Sequence, residues 1–123
     1  PIFNGWQTTS RVNQAEIELE KVKEQYSLAN NSLKNQLESI LLGIKETRFQ
    51  IDAYSSTIEQ AQTGYDISLK RYSSGVGTQL ETIDSLVELT RARVNYLNAI
   101  FDYYVLHAEL EEILSTEVQV TLE

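Results

Sequence analysis

The chain has 123 residues with no Cys, no Met, one Pro and one His, and its 18 acidic against 10 basic side chains give a net charge of −8. That length allows one domain at most. The absence of Cys excludes a disulfide scaffold, a thiol nucleophile and a Cys-ligated zinc site, and a lone His excludes a multi-histidine metal site. The acidic balance argues against nucleic acid, whose phosphates need a positive surface.

No apolar run approaches the roughly 20 residues of a membrane-spanning helix, and no signal-peptide pattern is present. A chain that begins at Pro1 without Met is expected to be a processed or excised piece, with any targeting segment cut away.

Residues 1–7 read as a strand end followed by a turn. Thr8, Thr9 or Ser10 can then cap a long helix by accepting a bond from an unpaired backbone N–H. Helix is expected over residues 8–73, because Val12, Ala15, Leu19, Val22, Tyr26, Ala29, Leu33, Leu37, Ile40, Ile44, Thr47, Ile51, Tyr54, Ile58, Ala61, Tyr65, Ser68 and Tyr72 follow one another in steps of three or four. Such alternation marks a helix packing lengthwise on other helices. The two consecutive fours from Ala29 to Leu37 form a stutter, which relaxes the left-handed supercoil locally. At about 1.5 Å per residue this helix would be roughly 95–100 Å long, too long for a compact globule of this mass.

Residues 74–78, Ser74-Gly75-Val76-Gly77-Thr78, read as a reversal, since two glycines permit the positive-φ conformations of a tight turn. Thr78 is placed to cap a returning helix over residues 79–114, with Glu81 completing a capping box. That helix carries two apolar stripes. One is Leu80, Ile83, Val87, Thr90, Val94, Leu97, Phe101, Tyr104 and Ala108. The other is Leu86, Leu89, Tyr96, Ile100, Tyr103, Leu110 and Leu114, with Arg93 and His107 in its polar gaps.

Two stripes require two neighbours, so in a lone hairpin one of them would face water. The returning helix reaches back only to about residue 38, which leaves Val12 to Leu33 nothing in this chain to pack on. That stripe is expected to drive self-association. Residues 115–123 read as an extended tail, and the terminal Leu122-Glu123 are compatible with a cloning remnant. The expected fold is all-α, a long antiparallel coiled-coil hairpin belonging to a larger helical assembly.

No catalytic constellation emerges. His107 lies on a stripe beside Tyr103 and Tyr104 and is most simply a packing residue, and no serine has a histidine within the same turn. Glu16, Glu18, Glu20 and Glu24 with Lys21 and Lys23 resemble a solvated face with i,i+4 pairs. The tyrosines on the stripes suit packing with hydroxyls at the helix margin. Asn30-Asn31-Ser32 fits the glycosylation pattern but lies mid-helix. Glu81 and Asp84 sit one turn apart beside the reversal. Capping and dipole complementarity explain Glu81, whereas a carboxylate ring in an oligomer would explain both.

The run Lys70-Arg71-Tyr72-Ser73-Ser74-Gly75-Val76-Gly77-Thr78-Gln79-Leu80-Glu81-Thr82-Ile83-Asp84 resembles the helical tip of the TolC-like outer-membrane efflux channels. Two further stretches are similar to that family. Pro1-Ile2-Phe3-Asn4-Gly5, followed by Arg11-Val12-Asn13-Gln14-Ala15, is similar to its passage from barrel strand to long helix. Arg91-Ala92-Arg93-Val94-Asn95-Tyr96-Leu97 is similar to a run on its returning helix. Trp6 departs from the pattern, where the family often has a second glycine.

The resemblance implies the periplasmic helical hairpin of the second repeat of a trimeric channel, built from an outer-membrane β-barrel and a periplasmic α-barrel. It implies passive transport in a tripartite efflux pump or a type I secretion system. A periplasmic adaptor would dock at Ser74, Gly75, Val76, Gly77 and Thr78, and an inner-membrane transporter would act indirectly. It also implies that Tyr72, Glu81 and Asp84 lie at the aperture, where acids from three copies would form a ring that attracts cations. No cofactor or metal is expected, and the substrate is not legible. Two alternatives need less: the hairpin of a periplasmic adaptor, or a structural coiled-coil scaffold. The former should have arms of similar length, and the latter leaves the tip motif to chance.

Overall fold

The structure is a computed structural model that describes the backbone of residues 5–121 and the side chains of residues 9–116. Helix α1 spans Gly5–Ser73 and helix α2 spans Gln79–Thr121. The chain divides into two units, residues 1–38 and residues 39–123.

In the first unit every described side chain is exposed except the half-buried Leu33 and Leu37. Val12, Leu19, Val22 and Tyr26 are all exposed, so the apolar stripe expected there is present without a partner among the described residues.

The second unit is an antiparallel helical hairpin. The α1 side of its seam follows the heptad series: Ile40 and Thr47 are buried, and Ile44, Ile51, Tyr54, Ile58, Ala61, Tyr65 and Ser68 are half-buried. The polar member of that row is satisfied locally, because the Thr47 hydroxyl donates to the carbonyls of Gly43 at 2.9 Å and Ile44 at 3.1 Å. Gly43 brings the helices close. A Cβ placed on it would stand 3.1 Å from the Leu106 side chain.

On α2 the seam is rotated from the expected stripe. Leu89, Ala92, Ala99 and Ile113 are its buried residues, and Leu86, Arg93 and Leu114 fall on its exposed margin. The physical reason is size. Alanines contribute little apolar area, yet at seam positions they let two helix backbones approach, and farther along α2 Leu106 packs over the space that Gly43 leaves on α1. Leu89, only 2% exposed, is the largest fully buried side chain among the described residues, and such burial contributes about 1.5–3 kcal/mol.

The other α2 stripe stays uncovered: Leu80, Ile83, Val87, Val94, Leu97, Phe101 and Tyr104 are all exposed. A matching outer row occurs on α1, where Leu42, Phe49 and Ala53 line an open apolar groove. Val94 follows the seam residue Ala92 by two positions, as Phe49 follows Thr47. At about 100° per residue, two positions place the outer rows nearly opposite the seam. Exposed apolar side chains therefore lie opposite the seam along much of α2 and, on α1, over residues 42–53.

The ends differ from expectation. α1 already includes residues 5–7, expected as a turn, and α2 continues through residues 115–121, expected as extended. Neither segment contains a proline, and adding a residue to an existing helix costs far less than starting one. Residues 1–4 and Leu122-Glu123 lie outside the described residues. The expected ionic lacing is also missing. Among the described residues the one ion pair is Arg91–Glu88 at 3.1 Å.

Candidate functional site

The reversal between the helices is held by its own backbone. As α1 ends, the N–H of Ser74 donates to Lys70 O at 3.1 Å and that of Gly75 to Tyr72 O at 3.0 Å. The N–H groups of Val76 and Gly77 both reach Arg71 O, at 3.0 and 2.9 Å. The hydroxyls of Ser73 and Ser74 each add a bond to Lys70 O at 2.9 Å. Carbonyls that a helix end leaves orphaned are thus capped. Lys70 and Arg71 sit where the α1 dipole is negative.

Gly75 has φ of +76°, a left-handed conformation open to glycine. Gly77 is required by space: a Cβ there would lie 2.9 Å from Arg71 Cβ and 3.1 Å from the Arg71 and Tyr72 backbone.

α2 then starts with the expected capping box. Thr78 N–H donates to Glu81 Oε2 at 3.3 Å, and Glu81 N–H donates to Thr78 Oγ1 at 3.2 Å. Val76, 74% exposed, and Leu80 project apolar surface beside the glycines. Tyr72, Glu81 and Asp84 are all exposed near this tip. Apart from the Glu81 box, none of the three has a side-chain partner among the described residues.

Immediately behind the tip the seam is polar. Ser68 Oγ and Ser85 Oγ share a 2.5 Å hydrogen bond, and Thr82 Oγ1 donates to Ser68 O at 3.4 Å. Sequence reading placed Ser68 in the seam but missed Thr82 and Ser85. Continuing the seam upstream from Leu89 in steps of four and three would have found both.

Farther along, Arg93 Nη2 donates to Gln62 Oε1 at 2.9 Å, and Gln62 Nε2 donates to Asp66 Oδ1 at 3.0 Å. His107 packs on Tyr103, with ring centroids 4.5 Å apart, and its buried Nε2 has no hydrogen-bond partner among the described residues. Among the described residues no group of three His, Cys, Asp or Glu side chains is placed to hold a metal ion. None of their helices is long and apolar enough to cross a membrane.

A capped two-glycine tip on a hairpin with opposed apolar faces suits a wall element that presents its end to a partner. Comparison with known proteins gives the family. Residues 1–116 match the family model described as outer membrane efflux protein. The chain belongs to that family. It is similar to the outer membrane protein TolC of Escherichia coli (strain K12), 27% identical over 116 residues. It is 26% identical over the same length to the outer membrane protein TolC of Salmonella enteritidis. Each alignment covers 94% of this chain and 24% of the relative, so the chain spans about a quarter of the length of the curated relatives it matches. Membership places the chain among efflux proteins and not among enzymes, and it decides against the adaptor and scaffold alternatives.

Proposed function

We propose that this hairpin forms part of the periplasmic tunnel wall of an outer-membrane efflux channel, assembled as a homotrimer, with its tip docking a periplasmic adaptor. The observation that carries this is the pair of opposed apolar faces. In a closed bundle the apolar stripes of a helix converge on one core. Faces on opposite sides instead suit a helix flanked left and right, as in a wall one helix thick. The uncovered stripe over Val12 to Tyr26 fits the same setting, with its neighbours supplied by the rest of the protein.

In this reading Ser74, Gly75, Val76, Gly77 and Thr78 form the docking turn. The glycines keep side chains out of the way, so that an adaptor helix approaches the backbone closely, and Val76 and Leu80 offer apolar contact. Tyr72, Glu81 and Asp84 lie at the aperture, where threefold repetition gathers carboxylates into a ring that attracts cations. The channel is passive, and energy comes from an inner-membrane transporter acting through the adaptor. Drug efflux, metal efflux and type I secretion all suit such a conduit.

The test is site-specific photocrosslinking in the full-length protein in cells, with a photoreactive residue at Val76 and a control at exposed Lys45. Capture of a periplasmic adaptor from Val76 and not from Lys45 is expected. Capture from Val76 of its own copies alone, or of cytosolic proteins, would remove the docking assignment.

A further inference from the structure

The two flanks of the hairpin seam treat their polar side chains differently. On one flank Arg93, Gln62 and Asp66 satisfy each other across the helices. On the other, Gln50 and Tyr54 of α1 face Asn95, Asn98 and Asp102 of α2 around a cleft of about 150 Å³, with buried Ala99 also lining it. The flanks are opposite because Arg93 follows the seam residue Ala92 whereas Asn95 precedes the seam residue Tyr96. None of the five polar side chains makes a hydrogen bond to any other described residue.

Each contributes at least one oxygen able to accept a hydrogen bond, Asp102 contributes a formal negative charge, and no basic side chain lines the cleft. Small Ala99 leaves the space, and the i, i+3, i+7 spacing of Asn95, Asn98 and Asp102 aligns three acceptors along one wall. Five acceptor-bearing side chains around one open cleft, one of them a carboxylate and none of them basic, suit a cation rich in N–H donors better than a bare metal ion, which would want more charge and a tighter shell.

We propose that this cleft is a binding site for the guanidinium group of a small organic cation. A planar guanidinium offers five N–H donors in a fixed fork. Asp102 takes two of them side by side, and the remaining three are shared among the amide oxygens of Asn95, Asn98 and Gln50 and the Tyr54 hydroxyl. The site is built by one copy of the chain, so it stands independently of how many copies surround a conduit.

The experiment is saturation-transfer NMR on the intact full-length protein in detergent, titrated with N-methylguanidinium chloride. Neutral N-methylurea, of nearly the same shape, serves as the comparison. Binding on the order of millimolar is expected for a largely open charge site. Asp102→Asn should weaken it about tenfold, the scale of a lost charge-assisted hydrogen bond. Asn98→Leu, which keeps the charge, should also weaken it. Glu109→Gln, one heptad along the same flank and outside the cleft, should leave it unchanged, with circular dichroism verifying that each variant stays helical. Absence of transfer to the wild-type protein, equal transfer to methylurea, or equal losses in Glu109→Gln and Asp102→Asn would each overturn the site.

Discussion

Replacing Gly75 by alanine tests the tip geometry with a matched control inside the same helix. Gly75 has φ of +76°, and nothing lies within 4 Å of where its Cβ would be, so the substitution brings backbone strain without a clash. An L-residue in that conformation costs about 1–2 kcal/mol. Loss of unfolded-chain freedom returns about 0.4–1 kcal/mol. The net expectation is destabilisation by about 1 kcal/mol.

Gly64 also has open space at its Cβ position, but it sits in the interior of α1 with an ordinary helical backbone. There the same substitution should stabilise by about 0.5–1 kcal/mol, the difference in helix propensity. The assay is urea unfolding of the 123-residue chain followed by circular dichroism at 222 nm. With a urea slope of about 1–2 kcal/mol per molar, the two midpoints should move in opposite directions by about 0.5 M each. If Gly75→Ala raised the midpoint, or moved it as Gly64→Ala does, the left-handed tip would be refuted.

Three other variants probe the seam and the aperture. Leu89→Ala should cost the isolated chain about 2–5 kcal/mol, as expected for a filled core position. Leu97→Ala, at a residue 62% exposed, should cost about 0.5 kcal/mol or less there but markedly more in the full-length protein. Equal costs in the isolated chain, measured by the same unfolding, would place the seam wrongly. Replacing Glu81 and Asp84 together by Ala in the full-length channel should weaken block by multivalent cations in planar-bilayer recordings. Unchanged block would take both residues away from the aperture.

Much of the hairpin was legible because its signals are local and repeated. The three-four rhythm from Ile40 to Ser68 specifies one face of α1 through side-chain size and polarity alone. Gly75, Gly77, Thr78 and Glu81 specify the reversal through backbone requirements that few other residues meet.

The α2 seam was less legible because Ala92 and Ala99 act by absence. They lower the distance between helices and leave no strong apolar mark. The polar link of Ser68, Thr82 and Ser85 was hidden for a related reason, since hydroxyls at seam positions read as interruptions until a partner is seen opposite. The helix ends were misjudged because residues 5–7 and 115–121 contain no decisive stop signal. Asn95, Asn98 and Asp102 lie outside both apolar stripes of α2, and only their position across from Gln50 and Tyr54 makes them a cleft.

The most direct test of the wall arrangement is cysteine accessibility, which this Cys-free chain permits without removing native thiols of its own. Phe101 is 68% exposed in the single chain and lies on the face opposite the seam. Phe101→Cys, compared with Val76→Cys at the tip, would be labelled with a maleimide in the intact full-length protein and again after denaturation. A flanked wall predicts that Cys at the Phe101 position is protected until the protein is denatured, whereas Cys at the Val76 position reacts at once in the absence of adaptor. Equally rapid labelling at both positions in the intact protein would contradict the wall.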